Sequence, residues 1–240
     1  MSVLCLVRHG QASIHADDYD VLSELGVAQA RATGAHLARR TRFDAVYSGP
    51  RRRQRDTARH VLETAAELGV PQPEPTVLDE FDEFVLDPLW MATVAELVGE
   101  HPALVDALRA SGRRPVPPAH RAAVRAYQAR IEVHMQAWIE GRLALEGLEP
   151  YAHFEARVAA GLARVRAVHA GGKHVLVVTS AGTVSAVARL ALGLDAQKTV
   201  DLVWSLANAS LTELRYSGDR LSLASLNAVA HLERDLVTYR

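Results

Sequence analysis

The sequence predicts an α/β protein, specifically a three-layer α/β/α sandwich with a mostly parallel sheet and a helical cap insertion. Two apolar runs, Leu4–Val7 and Val175–Val178, are too short for helices and are typical of buried strands. Each run leads into a short stretch of polar or small residues that contains a glycine, Gly10 or Gly182. Amphipathic helical patterns alternate with such strands along the chain, which indicates helices packed on both faces of a parallel sheet.

The first third of the chain supports this fold with two helices and two further strands. Ser23 is a suitable N-cap for a helix that carries small and apolar residues on one face. Gly69 is a suitable stop for a second helix. The predicted elements are a helix over Glu24–Arg40, a strand over Phe43–Ser48, a helix over Arg51–Leu68 and a strand over Thr76–Leu78.

Strand patterning stops between about residues 82 and 152 and resumes afterwards. The intervening segment predicts helices, the longest over Ala119–Glu140 after the breaker Pro117-Pro118. The later elements are a helix over Phe154–His169, a strand over His174–Thr179, a helix over Thr183–Leu192, and a hairpin of Ser210–Arg215 with Leu221–Leu226. We therefore predict one domain over residues 1–240 with a helical cap insertion at about 82–152.

Composition limits the classes of partner. The 240 residues carry a formal net charge of -1, which argues against nucleic acid or an anionic membrane as the main partner. The single cysteine, Cys5, excludes an internal disulfide and a thiolate metal cluster. No apolar run approaches the roughly 18 residues that cross a bilayer, and the first strand begins too early to leave room for a signal peptide. We expect a cytoplasmic protein, and the sequence leaves its oligomeric state open.

The first strand ends in Arg8-His9-Gly10, at the edge where open α/β sheets bind ligands. Arg8 offers a planar fork of donors suited to phosphate or carboxylate. His9 is a candidate nucleophile or general base, because imidazole changes charge near neutral pH. Gly10 permits a sharp turn or a close approach to a ligand. The alternative is a strand that ends in an ordinary surface Arg-His pair.

Two further segments could contribute to the same site. Thr179-Ser180-Ala181-Gly182 precedes a helix whose unpaired N–H groups would suit an anion. The stretch Arg51–Arg55 carries four arginines in five residues, of which a helix can direct only one or two into a pocket. The alternative is a solvated helix start. Aromatic residues for stacking on bases are not interleaved with these arginines, which weakens a nucleic-acid interpretation.

Together these motifs resemble the histidine phosphatase superfamily, which is also called phosphoglycerate mutase-like. The resemblance covers about residues 3–81 and 154–232, and the insertion between them identifies nothing. The motifs that carry it are Arg8-His9-Gly10, Leu22–Ala30, Tyr47–Pro50 through Arg53 to Thr57-Ala58, Leu78-Asp79-Glu80, Asn208-Ala209-Ser210 and Leu226–Leu232.

The resemblance implies roles for individual residues. His9 would be the nucleophile that forms a phosphohistidine, and Glu80 would be the general acid, with Asp82 and Glu83 close enough to substitute for it. The phosphoryl oxygens would be bound by Arg8, Gly10, Arg53, Ser180 and Ala181. His231 is expected to be structural. The ligand would be a small phosphorylated substrate or phosphate, with no cofactor. We expect no metal site, because none of the eleven histidines form a pair four residues apart.

Ser180 is a departure from the family pattern, which has a second histidine at this position. An imidazolium would supply a positive charge, whereas a serine hydroxyl supplies one neutral hydrogen bond. Ser180 could serve a slower or differently tuned phosphatase, or another cation such as Arg51, Arg52 or His120 could take the place of the histidine. The third possibility is a pseudo-phosphatase that binds phosphorylated ligands without turnover.

The sequence thus predicts a metal-independent phosphomonoesterase, with the pseudo-phosphatase as the alternative and a phosphoglycerate mutase as the less favoured one. Substrate identity would depend on the insertion. Its large and ring-bearing residues, which could line the pocket but for which we favour packing between helices, are Trp90, His120, Tyr127, His134 and Trp138.

Overall fold

A computed structural model describes residues 1–13, 20–85, 87–100 and 121–239. The described residues form a six-stranded sheet and seven α-helices. The strands are β1 (Ser2–Arg8), β2 (Ala45–Ser48), β3 (Pro75–Val77), β4 (His174–Thr179), β5 (Leu211–Ser217) and β6 (Arg220–Ala228). The helices are α1 (Glu24–Ala38), α2 (Arg52–Glu67), α3 (Asp87–Glu100), α4 (Arg121–Ile139), α5 (Tyr151–Val168), α6 (Ala181–Leu192) and α7 (Ala196–Ser205).

The sheet has the strand order β3-β2-β4-β1-β5-β6. Strands β3, β2, β4 and β1 are parallel, and β5 and β6 are antiparallel additions beside β1. The predicted α/β fold class with a mostly parallel sheet is therefore confirmed. Because β1 and β4 are parallel neighbours, with Arg8 opposite Thr179, the segments that follow both strands start side by side. This register places the two predicted junctions at one edge of the sheet.

Both faces of the central strands are buried. Cys5 and Val7 of β1 join Leu176 and Val178 of β4 in a core cluster with residues of α1 and α2. The residues that alternate with them point to the opposite face and are also buried, among them Leu4, Leu6, Val175 and Val177. Burial on both faces explains why these strands are almost uninterrupted apolar runs. None of the helices in the described ranges is long and apolar enough to span a bilayer.

Two helix starts and one helix differ from the sequence-based prediction. Helix α5 begins at Tyr151 and α6 at Ala181, each a few residues before the predicted start. Helix α7 was not predicted. Its N-cap is Asp195, whose side chain accepts the Lys198 N–H at 2.7 Å, directly after Gly193 ends α6 in a left-handed conformation. The polar segment between Gly193 and the next strand concealed a short helix that buries only a few residues.

The chain divides into two compact units, residues 1–83 with 156–240 and residues 84–155. Within the second unit, Trp138 is 1% exposed and its ring lies 4.7 Å from that of Phe84. His134 is also buried and shares a 2.8 Å hydrogen bond with the Thr93 hydroxyl. Trp90 is 41% exposed. His120 and the predicted start of its helix at Ala119 lie outside the described residues, and the capping role of the insertion stays a prediction.

Candidate active site

His9 follows the last residue of β1 and is 5% exposed. Its N–H donates to the Thr179 carbonyl at 2.8 Å, and its carbonyl accepts the Asn208 side-chain amide at 3.3 Å. The ring atom Nδ1 lies 2.7 Å from the Gly10 carbonyl oxygen. Because a carbonyl oxygen only accepts, Nδ1 carries the ring proton and Nε2 keeps a lone pair.

The pKa of His9 is lowered well below its ordinary value. The largest cause is burial, which penalises the charged ring, and the positive charges of Arg53 and Arg8 act in the same direction. The hydrogen bond to the Gly10 carbonyl opposes them. His9 is therefore a neutral imidazole at neutral pH, which is the protonation state that a nucleophilic Nε2 requires.

Two guanidinium groups accompany His9, as predicted from the sequence. Arg53 lies in the first turn of α2, and its Nε donates to His9 Nε2 at 3.1 Å. Its Nη1 donates to Asp20 Oδ1 at 2.7 Å, and Asp20 also accepts the Arg52 N–H at 2.7 Å. Arg8 is 8% exposed and donates through Nη1 to the Leu206 carbonyl. The structure thus collects positive charge around a neutral imidazole.

Gly10 does not supply the phosphate contact that the resemblance implied. Its N–H donates to the Thr57 hydroxyl at 3.0 Å and so is already used inside the protein. A Cβ atom at Gly10 would lie only 2.4 Å from the Gly26 carbonyl oxygen. The glycine is required because the loop after β1 packs directly against the first turn of α1. The role of Gly10 is therefore close packing behind His9.

Ser180 and Ala181 lie at the start of α6, beside the β1 junction through the pairing of β1 with β4. Ser180 is fully buried, and its Oγ accepts from Gln54 Nε2 at 2.7 Å. The Ala181 N–H, the first of the helix, has no acceptor among the described residues. An N–H group of this kind at a helix N-terminus suits an anion.

The carboxylate that reaches the start of α6 belongs to Glu83. Its Oε2 accepts the Gly182 N–H at 3.0 Å. Glu80, the residue first assigned as general acid, accepts instead from Arg164 of α5 at 3.1 Å. The short 3₁₀ turn Asp79–Phe81 explains the difference, because it buries Phe81 completely and turns the side chain before it away from that of Glu83.

Several contacts hold the segment that carries Glu83. The Thr179 hydroxyl donates to the Phe81 carbonyl at 2.8 Å, and the Thr183 hydroxyl donates to the Asp82 carbonyl at 3.2 Å. From α5, Arg157 Nη1 donates to the Asp82 carbonyl at 3.1 Å. The acidic segment is therefore fixed against the β4–α6 junction.

The cations considered as replacements for a second histidine are not equivalent. Arg51 Nε donates to Asp82 Oδ1 at 2.6 Å, which places it on the acidic segment. Arg52 is more than half exposed and pairs with Asp56 on its own helix. His120 lies outside the described residues. Within the described ranges, we find no group of three or more His, Cys, Asp or Glu residues that could hold a metal ion.

The family assignment follows from the sequence as a whole. The chain matches the model of the histidine phosphatase superfamily, branch 1, over residues 4–142 and 125–229. The chain belongs to this superfamily. No curated protein matches its sequence.

Solved structures of histidine phosphatase-like proteins share the fold at low identity. A mycobacterial glucosyl-3-phosphoglycerate phosphatase in complex with inorganic phosphate has a TM-score of 0.64 at 24% identity, covering 96% of this chain and 99% of that one. A putative α-ribazole-5'-phosphate phosphatase from Escherichia coli has a TM-score of 0.62 at 19% identity, with coverage of 95% and 96%. A phosphoglycerate mutase from Bacillus anthracis has a TM-score of 0.61 at 18% identity, with coverage of 96% and 94%.

Proposed function

We propose that this superfamily member is a metal-independent phosphomonoesterase that acts through a phosphohistidine on His9. The observation that carries the proposal is the state of that imidazole. Its Nδ1 proton is directed to the Gly10 carbonyl, and its unprotonated Nε2 faces the Arg53 guanidinium. A buried neutral nucleophile beside two cations is suited to an incoming phosphate dianion.

In the first step, the Nε2 lone pair attacks phosphorus and the bond to the ester oxygen breaks. Arg53 exchanges its hydrogen bond with Nε2 for bonds to the phosphoryl oxygens, and Arg8 neutralises part of their charge. The leaving oxygen takes a proton from the carboxyl group of Glu83. The products of this step are the alcohol and a phosphoryl group bonded to Nε2.

In the second step, water attacks phosphorus and gives a proton to the Glu83 carboxylate. The P–N bond breaks, phosphate leaves, and Nε2 regains its lone pair. Because Glu83 ends the cycle protonated, it is ready for the next substrate. The Ala181 N–H is positioned to stabilise charge on the phosphoryl oxygens throughout.

Ser180 supports a second candidate, a pseudo-phosphatase that binds phosphorylated ligands. Ser180 stands where the family pattern has its second histidine, and its hydroxyl carries no charge. Removing one donor from an enclosed site of this kind costs about 100- to 1000-fold in rate. The same pocket could then hold a phosphate group while turning it over very slowly.

The test compares wild type, His9→Ala and Ser180→His on aryl phosphate, 3-phosphoglycerate and other phosphate monoesters near pH 6. We expect wild type to release phosphate and His9→Ala to lose at least about 1000-fold in kcat/KM. His60→Ala is a matched control, because His60 lies further along α2 and bonds Glu63 rather than the site.

Each alternative has its own signature in the same experiment. A silent wild type together with an active Ser180→His variant would establish the pseudo-phosphatase. Transfer of phosphate between hydroxyl groups rather than release to water would indicate a mutase. Unchanged hydrolysis by His9→Ala would exclude the proposed mechanism.

A further inference from the structure

Gln54 is a fully buried polar residue that the proposed mechanism does not use. It follows Arg53 in the first turn of α2 and lies with Ser180 in the interior, where both side chains have no exposed surface. Its Nε2 donates to Ser180 Oγ at 2.7 Å. A side-chain amide is rarely buried completely unless its hydrogen bonds are satisfied, so this contact needs an explanation.

The orientation of the Gln54 amide follows from its second partner. The Arg51 N–H lies 3.0 Å from the Gln54 oxygen Oε1, and a backbone N–H can only donate. Oε1 must therefore face Arg51, and the NH₂ group must face Ser180. At this contact the serine oxygen is the acceptor.

The Ser180 hydroxyl has been diverted from the usual duty of a serine at this position. Ser180 is the N-cap of α6, where a serine oxygen commonly accepts from the first turn of its helix, yet its side chain makes no capping bond. Glu83 accepts the Gly182 N–H instead. Since Ser180 Oγ accepts from Gln54, its proton points elsewhere, and no acceptor for that proton exists among the described residues.

We propose that Gln54 is a positioning residue that holds the Ser180 hydroxyl as a neutral hydrogen-bond donor to the phosphoryl group. This inference rests on the proposed function of the site. The Ser180 proton and the Ala181 N–H then form a pair of adjacent uncharged donors beside His9. The positive charge of the site comes from Arg8 and Arg53 alone, and this donor pair does not titrate between pH 5 and 9.

The charged groups around Gln54 and Ser180 titrate independently of this pair. They are the Arg51–Asp82 ion pair at 2.6 Å, Glu83 on the Gly182 N–H, and Arg53 beside His9. Their contributions to a pH–rate profile are common to wild type and variants. The ratio of variant to wild-type activity at each pH therefore isolates the effect of Gln54.

Two substitutions separate the donor half of the amide from its acceptor half. Gln54→Glu keeps the shape and the acceptor for the Arg51 N–H, but its ionised form accepts from Ser180 and draws the proton away from the phosphoryl group. Gln54→Met removes both halves without adding charge. Gln72→Glu is the matched control, because Gln72 accepts the Phe43 N–H at 2.8 Å at the opposite end of the sheet.

The first experiment is a double-mutant cycle of Gln54→Met and Ser180→Ala, measured as kcat/KM for an aryl phosphate and as Kd for inorganic phosphate. We expect each single variant to lose about 10- to 100-fold in kcat/KM. The double variant should lose no more than Ser180→Ala alone, because Gln54 acts through that hydroxyl. Losses that multiply would overturn the proposal.

The second experiment is the pH profile of Gln54→Glu relative to wild type from pH 5 to 9. We expect the ratio to rise as the pH falls, because a protonated carboxyl group can donate to Ser180 again. Gln72→Glu should keep a flat ratio. A flat ratio for Gln54→Glu, with normal folding, would overturn the positioning role.

Failure of this inference is distinguishable from failure of the proposed function. If wild type hydrolyses nothing, the phosphomonoesterase proposal fails, and the cycle is read from the Kd for inorganic phosphate. Coupled losses in phosphate affinity would then support the Gln54–Ser180 arrangement in a binding site. Independent losses would overturn it in either case.

Discussion

The junction after β1 and the junction after β4 lie side by side, but they supply different kinds of chemistry. The first holds a neutral imidazole beside the guanidinium of Arg53. The second holds a hydroxyl, an unpaired helix N–H and the Glu83 carboxylate on Gly182. One junction therefore provides the nucleophile and the positive charge, and the other provides neutral donors and the acid.

This difference shows how two similar strand ends can serve opposite roles. Both strands are buried apolar runs, and Arg8 pairs directly with Thr179. What separates them is the helix that follows. Helix α6 starts at once and offers its N-terminal N–H groups, whereas β1 runs into a loop whose Gly10 N–H is taken by Thr57. The experiments that follow test this division of labour.

The largest effect is expected at the acid. Glu83→Gln should lower kcat for a substrate with a poor leaving group by about 100- to 10,000-fold, because the leaving oxygen loses its proton donor. Glu80→Gln is the matched control and should change kcat little, since Glu80 pairs with Arg164. The measurement is kcat for both variants on an alkyl phosphate. The reverse order of effects would return the acid role to Glu80.

An intermediate effect is expected at the helix N–H. Ala181→Pro removes this single donor while keeping a residue that suits the first position of a helix. Ser180 already has the extended backbone, with φ −119° and ψ 170°, that a following proline requires. We expect about a 10-fold weaker Kd for inorganic phosphate. An unchanged Kd in a folded variant would remove Ala181 from the anion site.

The smallest effect is expected on the pH dependence of stability. The pKa of His9 is lowered by burial and by the neighbouring arginines, so the unfolded chain binds this proton more readily. Stability is therefore fully present above the unfolded value of about 6.5 and falls as the pH drops below it. The slope from this one group is at most about 1.4 kcal/mol per pH unit.

Denaturant unfolding from pH 7 to 5 without phosphate measures this slope. His9→Gln should flatten the decline, because its amide does not titrate. Ser180→Ala is the comparison from the other junction and should leave the slope of wild type unchanged. Equal slopes for wild type and His9→Gln would show that His9 is not held neutral.

The sequence by itself determined the fold class and most elements of the first unit. The apolar runs ending in Val7 and Val178 and the helical spacing between them specify secondary structure through local periodicity. Helix α7 escaped because a short amphipathic segment signals weakly when only a few of its residues are buried. The motif order also predicted His9 together with Arg8 and Arg53, and the structure brings Arg53 to the His9 ring.

Only the tertiary structure decided between the two carboxylates. Leu78-Asp79-Glu80 and Phe81-Asp82-Glu83 repeat the same order of apolar residue, aspartate and glutamate, so the sequence could not select a register. The 3₁₀ turn that buries Phe81 and the α6 N–H group of Gly182 made that selection. The contact of Gln54 with Ser180 spans 126 positions and has no local signal in the chain. Contacts of this kind depend on how the strands are ordered in the sheet, which is a property of the packed fold.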